Sequence, residues 1–408
     1  MYLQMGWRNI WRNPRRTIVI MMAVIIGVWA MIFLGALMRG ISDQMVRNGI
    51  ANLTGHIQVH HAGFRKDPVI ENSIDKPKVV KAALLRILPQ GARWTNRVRV
   101  DAIVSNARHS GGVTLIGIDP EKEAAISFIG QAVTEGKYLK PGDKYGIIIG
   151  EALADKFDTK LGRKLVMMSQ DTKGDIASRA FRITGIFRAE MDATEKQFVF
   201  VTIGAAQKML KLGNEISEVS ILLADYEESD VMADALRRVL LPADTYDVQT
   251  WRGLLPFVTA ILKMYDGFIY LWFLVIFIAM GFGIVNTILM AVFERIREFG
   301  LLKALGMKPW WIVKEVLTES FFLLILGMVA GNALGFLSIF ALADTGIDLS
   351  ALSEGLEFAG MSRIIYPVIV IKDIVTANLV VLILGLAVSA YPAVKAARFT
   401  PVKAMAQT

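Results

Sequence analysis

The run IVIMMAVIIGVWAMIFLGALM, residues 18–38, contains no charge in twenty-one positions. At 1.5 Å per residue, a helix of that length covers about 30 Å, the thickness of a bilayer's hydrocarbon core. A secretory signal is the competing reading. It is disfavoured by the length of the run, by Trp29 and Phe33, and by the lack of a small-x-small cleavage site before Arg39. The run therefore reads as an uncleaved membrane anchor, and the rest of the chain is read outward from it.

Three more apolar runs follow: GFIYLWFLVIFIAMGFGIVNTILMAV at 267–292, a third within 315–342, and IVTANLVVLILGLAVSAY at 374–391. The chain has 408 residues, of which 54% are hydrophobic, and its mean hydropathy is +0.46. Because the apolar residues are concentrated in these runs, the fold class expected is an α-helical membrane protein with four transmembrane helices. A large mixed α/β domain, residues 39–266, is inserted between the first and second. The chain has no cysteine, which excludes disulfides and thiolate metal sites. Its net charge of +8 gathers beside the apolar runs, a pattern of membrane topology rather than of nucleic-acid binding.

Charge placement sets the orientation. Arg8, Arg12, Arg15 and Arg16 precede the first run; Arg295, Arg297, Lys303, Lys308 and Lys314 lie between the second and third; Lys395, Arg398 and Lys403 follow the fourth. The loop 343–373 carries Asp344, Asp348, Glu354 and Glu357 instead. The positive-inside rule puts the amphipathic segment 1–17, the segment 293–314 and the tail 392–408 in the cytoplasm, so both termini are expected there. In segment 1–17, Trp7, Ile10 and Trp11 share a helical face suited to the lipid interface, and Pro14 ends or bends that helix. The stretch IIYPVIVI, 364–371, is too short to span and reads as a strand or a surface-hugging segment.

Within the insertion, alternation and β-branched content mark strands at 55–61, 97–104, 112–118, 146–150, 164–169, 181–187, 197–201 and 218–224. Helices are expected at 78–88, 150–157, 202–210 and 229–240. Two lobes are expected, with a boundary at about 119–131. His56, His60, His61 and His109 are the only histidines, and no third ligand accompanies His56 and His60, so they read as packing residues. No GxxxxGK[ST] occurs, so no ATP chemistry is expected in this chain.

FERIREFGLLKALGMKPWWIVK, residues 293–314, is the stretch with most to say about function. Glu294 and Glu298 are four apart, Gly300 is expected to interrupt the helix, Gly306 to turn the chain, and Pro309 to start the next helix. Leu301, Leu302, Leu305 and Met307 give it an apolar edge. That edge either docks into a partner or packs on the chain's own helices. Glu315 and Glu319 share a face that is expected to turn towards Arg297 or a second subunit. Asn286 is expected to make an interhelical hydrogen bond, and Gly281 and Gly283 to allow close approach or bending.

ERIREFGLLKALGM (294–307) resembles the E-R-x-x-E-x-G-x-L-[RK]-A-L-G segment of the FtsX-like, MacB/LolC/LolE-type ABC-transporter permeases. RNIWRNPRRT (8–17) is similar to their N-R-x-R amphipathic segment, and YPAVKAARFTPVKAM (391–405) to their P-A-x-x-A-A tail. GIDPE (117–121) and the passage from GEALADKF to KLG (150–162) resemble the exported domain of the lipoprotein-releasing branch. The resemblance makes 294–307 a coupling helix seated in a separate cytosolic ABC ATPase dimer. Glu294, Arg295, Glu298, Gly300, Lys303 and Gly306 occupy the matched positions. It also implies a second permease chain, identical or homologous, and a periplasmic location for 39–266. ATP and Mg would be bound by the ATPase, leaving no cofactor, metal or catalytic site here.

The chain lacks the fused nucleotide-binding domain of full-length MacB-type proteins and carries a single four-helix unit. The function expected is the non-enzymatic permease subunit of a mechanotransmission-type transporter in a bacterial inner membrane. It would extract lipoproteins or another hydrophobic cargo, which enters laterally between the first and second helices of the paired permeases, for a periplasmic acceptor. Met38, Ile41 and Met45 are expected near the outer mouth of that cavity. The alternatives are an efflux permease working with a periplasmic adaptor and a transmembrane activator of a periplasmic enzyme.

Overall fold

The structure, a computed structural model, describes residues 7–189, 192–240, 242, 245–348 and 364–399. Residues 1–6 and 400–408, including Lys403, and the loop acids Glu354 and Glu357 lie outside the described residues. Its longer helices are, in chain order, α1 (Pro14–Gly49), α2 (Pro77–Ile87), α3 (Ile203–Leu210), α4 (Ser229–Val239), α5 (Pro256–Glu294), α6 (Ile296–Ala304), α7 (Pro309–Leu342) and α8 (Ile371–Arg398). Two compact units result among the described residues: a helical one built from residues 7–44, 261–348 and 364–399, and an α/β one within residues 45–260.

α1, α5, α7 and α8 are each long and apolar enough to cross a membrane. In lipid, apolar side chains gain little by leaving one apolar medium for another, so close helix contact depends on small residues and polar pairs. Both occur here. Gly327, Gly331 and Gly335 lie four apart on α7 and take the side chains of Val24, Val28 and Ile32 of α1; a Cβ on Gly331 would stand 2.8 Å from Val28 Cβ. The Asn332 and Asn378 side-chain amides exchange hydrogen bonds of 2.8 and 3.0 Å between α7 and α8. Trp29 Nε1 donates to Ser338 Oγ at 3.0 Å.

Among the described residues Asn286 makes no interhelical hydrogen bond. Asn286 is exposed on α5, because its position falls on the face turned away from α1 and α7. Gly281 meets only Phe277 of its own helix, whereas Gly283 comes within van der Waals range of Ala23. At the end of the bundle opposite the N-terminal segment, Arg39 of α1 ties Asp266 of α5 at 2.5 Å and Asp373 of α8 at 2.6 Å. Ile364–Ile365 pairs with Ile347–Asp348 as a short antiparallel ladder.

The α/β unit is organised by one ten-stranded sheet. Its strands are β1 (Ile57–His61), β2 (Arg93–Ser105), β3 (Ser110–Ile118), β4 (Val133–Gly136), β5 (Gly146–Gly150), β6 (Lys164–Gln170), β7 (Ile176–Phe187), β8 (Phe198–Thr202), β9 (Glu218–Leu222) and β10 (Tyr246–Thr250). The order is β10-β1-β9-β2-β3-β8-β5-β7-β4, with β6 joining β2 and β7. All eight expected strands and all four expected helices are present. β4 and β10 are not among the expected strands; VTEG carries no apolar alternation, whereas YDVQT does alternate, with Val248 and Thr250 buried.

The cores do not divide at 119–131. Ile57, Val59, Val219, Ile221 and Val248 pack with Val80 and Leu84 of α2 and Leu236 of α4, so the first and last parts of the insertion share one core. Residues from Val98 to Leu212 build a second. The long strand β2 belongs to both halves of the sheet, pairing β9 at Arg93–Arg97 and β6 at Ile103–Ser105.

The histidines pack. His60 is 3% exposed and stacks on Phe64 with ring centroids 5.1 Å apart. His56 Nδ1 accepts the Leu223 N–H at 3.1 Å. Burial, together with nearby Arg47, outweighs Asp225 and pushes the His56 pKa down to about 4. An unfolded chain's imidazole titrates near about 6.5. The stability held by the neutral ring is therefore complete above about pH 6.5 and is lost as the pH falls through about 4. Melts of the protein between pH 7.5 and 4.5 should show the α/β unit weakening on acidification, and His56→Gln should flatten that loss. An unaltered profile would assign the proton uptake elsewhere.

Candidate coupling site

The connector between α5 and α7 folds as two pieces rather than one. α5 ends at Glu294, and Arg295 leaves helical geometry (φ −102°, ψ 13°) before α6 begins at Ile296. Glu294 and Glu298 are therefore not successive turns of a single helix. Gly300 does not break α6; it is buried in its middle, next to Phe299, which is 2% exposed. The break falls at Arg295 because its guanidinium turns inward to three carboxylates. Gly306 does turn the chain, at φ +94°, a conformation that costs a residue with a Cβ about 1 kcal/mol. Met307 N–H then closes on Leu302 O at 3.0 Å, and Pro309 opens α7.

Arg295 donates to Glu315 at 2.7 Å, to Glu319 at 3.2 Å and to Glu298 at 3.2 Å. Arg16 of α1 bonds Glu319, both side chains being less than a tenth exposed. Arg12 forks onto Glu298 with contacts of 2.5 and 3.2 Å. Asn9 donates to Glu315 at 2.9 Å and Asn13 to Glu294 at 3.3 Å. All four acids of this region, Glu294, Glu298, Glu315 and Glu319, are thus held by the segment Asn9–Arg16 or by Arg295. Glu315 and Glu319 face Arg295 and Arg16, not Arg297 as expected, because Arg297 lies on the exposed side of α6.

Electrostatics favours the charged forms of Arg295 and Glu298. Burial alone would lower the Arg295 guanidinium pKa, but bonds from Glu315, Glu319 and Glu298 raise it. Burial would raise the Glu298 carboxyl, and Arg12 with Arg295 brings it below its usual range. Lys303 reaches another element, donating to Ala397 O at 2.9 Å and Phe399 O at 2.6 Å, where it satisfies carbonyls at the end of α8.

With Arg295 and Glu298 occupied internally, the outer side of the connector carries large apolar residues beside the exposed Arg297 and Lys308. Leu301 is 56% exposed, Leu305 77% and Trp310 60%, while Leu302 and Met307 pack on the bundle core. Residues 17–239 match the family model described as the MacB-like periplasmic core domain, and residues 270–401 match the FtsX-like permease C-terminal model. The chain belongs to the FtsX/MacB-like family of ABC-transporter permeases.

This permease is 23% identical over 338 residues to the lipoprotein-releasing system transmembrane protein LolC of Neisseria meningitidis serogroup B, covering 79% of this chain and 76% of that protein. It is also 23% identical over 404 residues to LolC of Xylella fastidiosa, covering 94% and 92%. Among solved structures, the periplasmic region of MacB from Actinobacillus actinomycetemcomitans aligns with 52% of the permease and 94% of its own length, at 13% identity and TM-score 0.37.

The resemblance named six positions, and the geometry sorts them. Glu294, Arg295 and Glu298 belong to the ion cluster, Gly300 is buried within α6, Lys303 binds the end of α8, and Gly306 turns the chain. Asn9, Arg12, Arg16, Glu315 and Glu319 complete the cluster and were not singled out as parts of it. The available signal was complementarity: a segment with four arginines and no acid, and two glutamates one turn apart on another helix. Elsewhere, Met38 and Ile41 are half-buried and Met45 is 4% exposed. No cluster of three or more metal-ligating side chains occurs among the described residues.

Proposed function

We propose that the connector 294–307 couples this permease to a cytosolic ABC ATPase dimer, and that the complex extracts lipoproteins from the outer leaflet of a bacterial inner membrane. The observation that carries the coupling reading is the two-sided connector. Its Arg295 and Glu298 are held by the N-terminal segment and α7, and its Leu301 and Leu305 project outward. An exposed apolar knob on a rigid charged base suits docking into a groove, since buried apolar anchors dominate interface energies. The ATPase binds ATP and Mg and performs the hydrolysis. Closure of its dimer pushes on α6, and the ion cluster passes the displacement to α1 and α7.

Two permease chains, identical or homologous, enclose the cargo path. The exposed apolar faces of α1 (Val19, Met22, Ile26) and α5 (Leu271, Val275, Phe282) supply surface for lipid, cargo and the second chain. Met38 and Ile41 contribute at the outer mouth, with Met45 supporting them from a buried position. Kinship with LolC proteins of two bacteria supports lipoprotein as the cargo.

Copurification of the permease from native membranes tests this reading. Bound di- or triacylated protein supports release; a periplasmic adaptor or a cell-wall hydrolase in its place would redirect the function. Within the coupling site, Leu305→Asp should cut ATPase capture by roughly tenfold or more, the scale of an interface anchor. Membrane insertion should be unchanged, because Leu305 supports no core. Wild-type capture by that variant would remove α6 from the docking surface.

A further inference from the structure

The polar face of β2 contains a buried charge that the coupling site does not use. Its alternation places Val98, Val100, Ala102 and Val104 in a core and turns Thr95, Arg97, Arg99 and Asp101 the other way. A half-exposed strand would leave that second face in water, yet Arg97 is 1% exposed. Its Nε and Nη2 fork onto Glu123 at 2.9 and 2.7 Å, and its Nη1 donates to Glu218 at 2.9 Å. Both glutamates are as deeply buried as Arg97. Arg99 Nη1 stands 4.0 Å from the second oxygen of Glu218, so two arginines meet two acids and the set is balanced in charge.

Arg97 Nη1 also donates to the backbone carbonyl of Leu53. Leu53 lies in the turn Ile50–Thr54 that follows α1, and it holds a left-handed φ of +73°. A leucine in that conformation is strained and persists only where its surroundings fix it. They do so from several sides. Gln58 Nε2 donates to Leu53 O at 3.3 Å and to Thr54 O at 2.8 Å. Phe128 N–H donates to Ala51 O at 3.3 Å, and Asn52 Nδ2 to Thr194 Oγ1 at 3.2 Å. The Leu53 side chain is 3% exposed, packed with Ile116, Ile118 and Phe200.

We infer that Arg97 is a positioning residue that clamps the end of the first membrane helix to the sheet, making the turn 50–54 a rigid joint rather than a flexible linker. A push along α1 must leave the helix through this turn, since the chain has no other covalent route from α1 into the sheet. A joint free to unwind would absorb the displacement. A joint fixed at Leu53 O by a guanidinium anchored on Glu123 and Glu218 passes it to β2 and β9. The inference about transmission rests on the proposed function; the rigidity of the joint does not.

The test uses the full-length permease with its cognate ATPase in proteoliposomes, and a fluorescently labelled triacylated lipoprotein as probe. Arg97→Met leaves Glu123 unpaired and Glu218 with only Arg99 at 4.0 Å, and risks misfolding. The triple variant Arg97→Met, Glu123→Gln, Glu218→Gln removes the buried charges, leaves the part-exposed Arg99 and keeps the volume. Amide exchange at residues 51–56 should accelerate about tenfold or more in the triple variant, while exchange in β5 and β7 stays as in wild type. ATP turnover should persist, and lipoprotein released per ATP should fall by a similar factor. Unchanged exchange at the turn would overturn the clamp, and accelerated exchange with wild-type release per ATP would overturn its role in transmission. If wild-type protein hydrolyses ATP and releases no lipoprotein, the cargo reading fails, and the exchange comparison still decides the clamp.

Discussion

Replacing Arg295 with methionine is expected to lower the stability of the membrane bundle by about 3–5 kcal/mol, the usual consequence of removing one partner from a buried ion cluster. Arg295 is 15% exposed and bonds Glu298, Glu315 and Glu319 at once. Without it, Glu315 retains only Asn9, and Glu319 must be neutralised by Arg16 alone. The connector would also lose the contact that turns the chain between α5 and α6. Arg295→Lys keeps the charge and loses the planar fork, so it should fall between wild type and methionine. Thermal unfolding in detergent, followed by ATPase capture on the folded fraction, measures both effects. Equal stability of Arg295→Met and wild type would show that the cluster is incidental to the bundle.

The second large effect is steric. Gly331→Leu should prevent assembly of the folded bundle, because even a single added carbon would stand 2.8 Å from Val28 Cβ and 3.0 Å from Ile25 O. Val28 cannot step aside, being itself fully buried between helices. Gly331→Ala adds one methyl and should cost about 1–3 kcal/mol, the range for overpacking a tight core. A series of Ala, Val and Leu at 331 should show a graded loss of monodisperse protein in gel filtration. Tolerance of leucine would mean that α1 and α7 do not meet along this glycine line.

Much of this architecture was legible, and the reasons are physical. Apolar runs of membrane length and strand alternation are local properties of the chain, so the four helices and eight of the strands could be read directly. VTEG pairs as a strand because its neighbour in the sheet offers an open edge, which is information held elsewhere in the chain; YDVQT carries the local alternation of Tyr246, Val248 and Thr250 and could have been read. The same holds for Arg97. RVRV reads as a strand with one wet face, and only tertiary packing buries that face. The connector 293–314 stood out by its composition, but composition could not show which of its sides was free. Its glutamates looked available to a partner and instead bind the N-terminal segment, Glu294 at Asn13 and Glu298 at Arg12. The leucines turned out to be the exposed side. Asn286 shows the converse: a polar residue in an apolar run signals a contact, but the helix face it occupies decides whether one forms within the chain.

The most direct test of the account reconstitutes the permease with its cognate ATPase in proteoliposomes carrying a triacylated lipoprotein, and measures transfer of that lipoprotein to a soluble acceptor with and without hydrolysable ATP. The account predicts transfer that requires ATP hydrolysis and is abolished by Leu305→Asp in the permease. A complex verified to hydrolyse ATP that transfers no lipoprotein, or transfers it equally without ATP, would contradict the account.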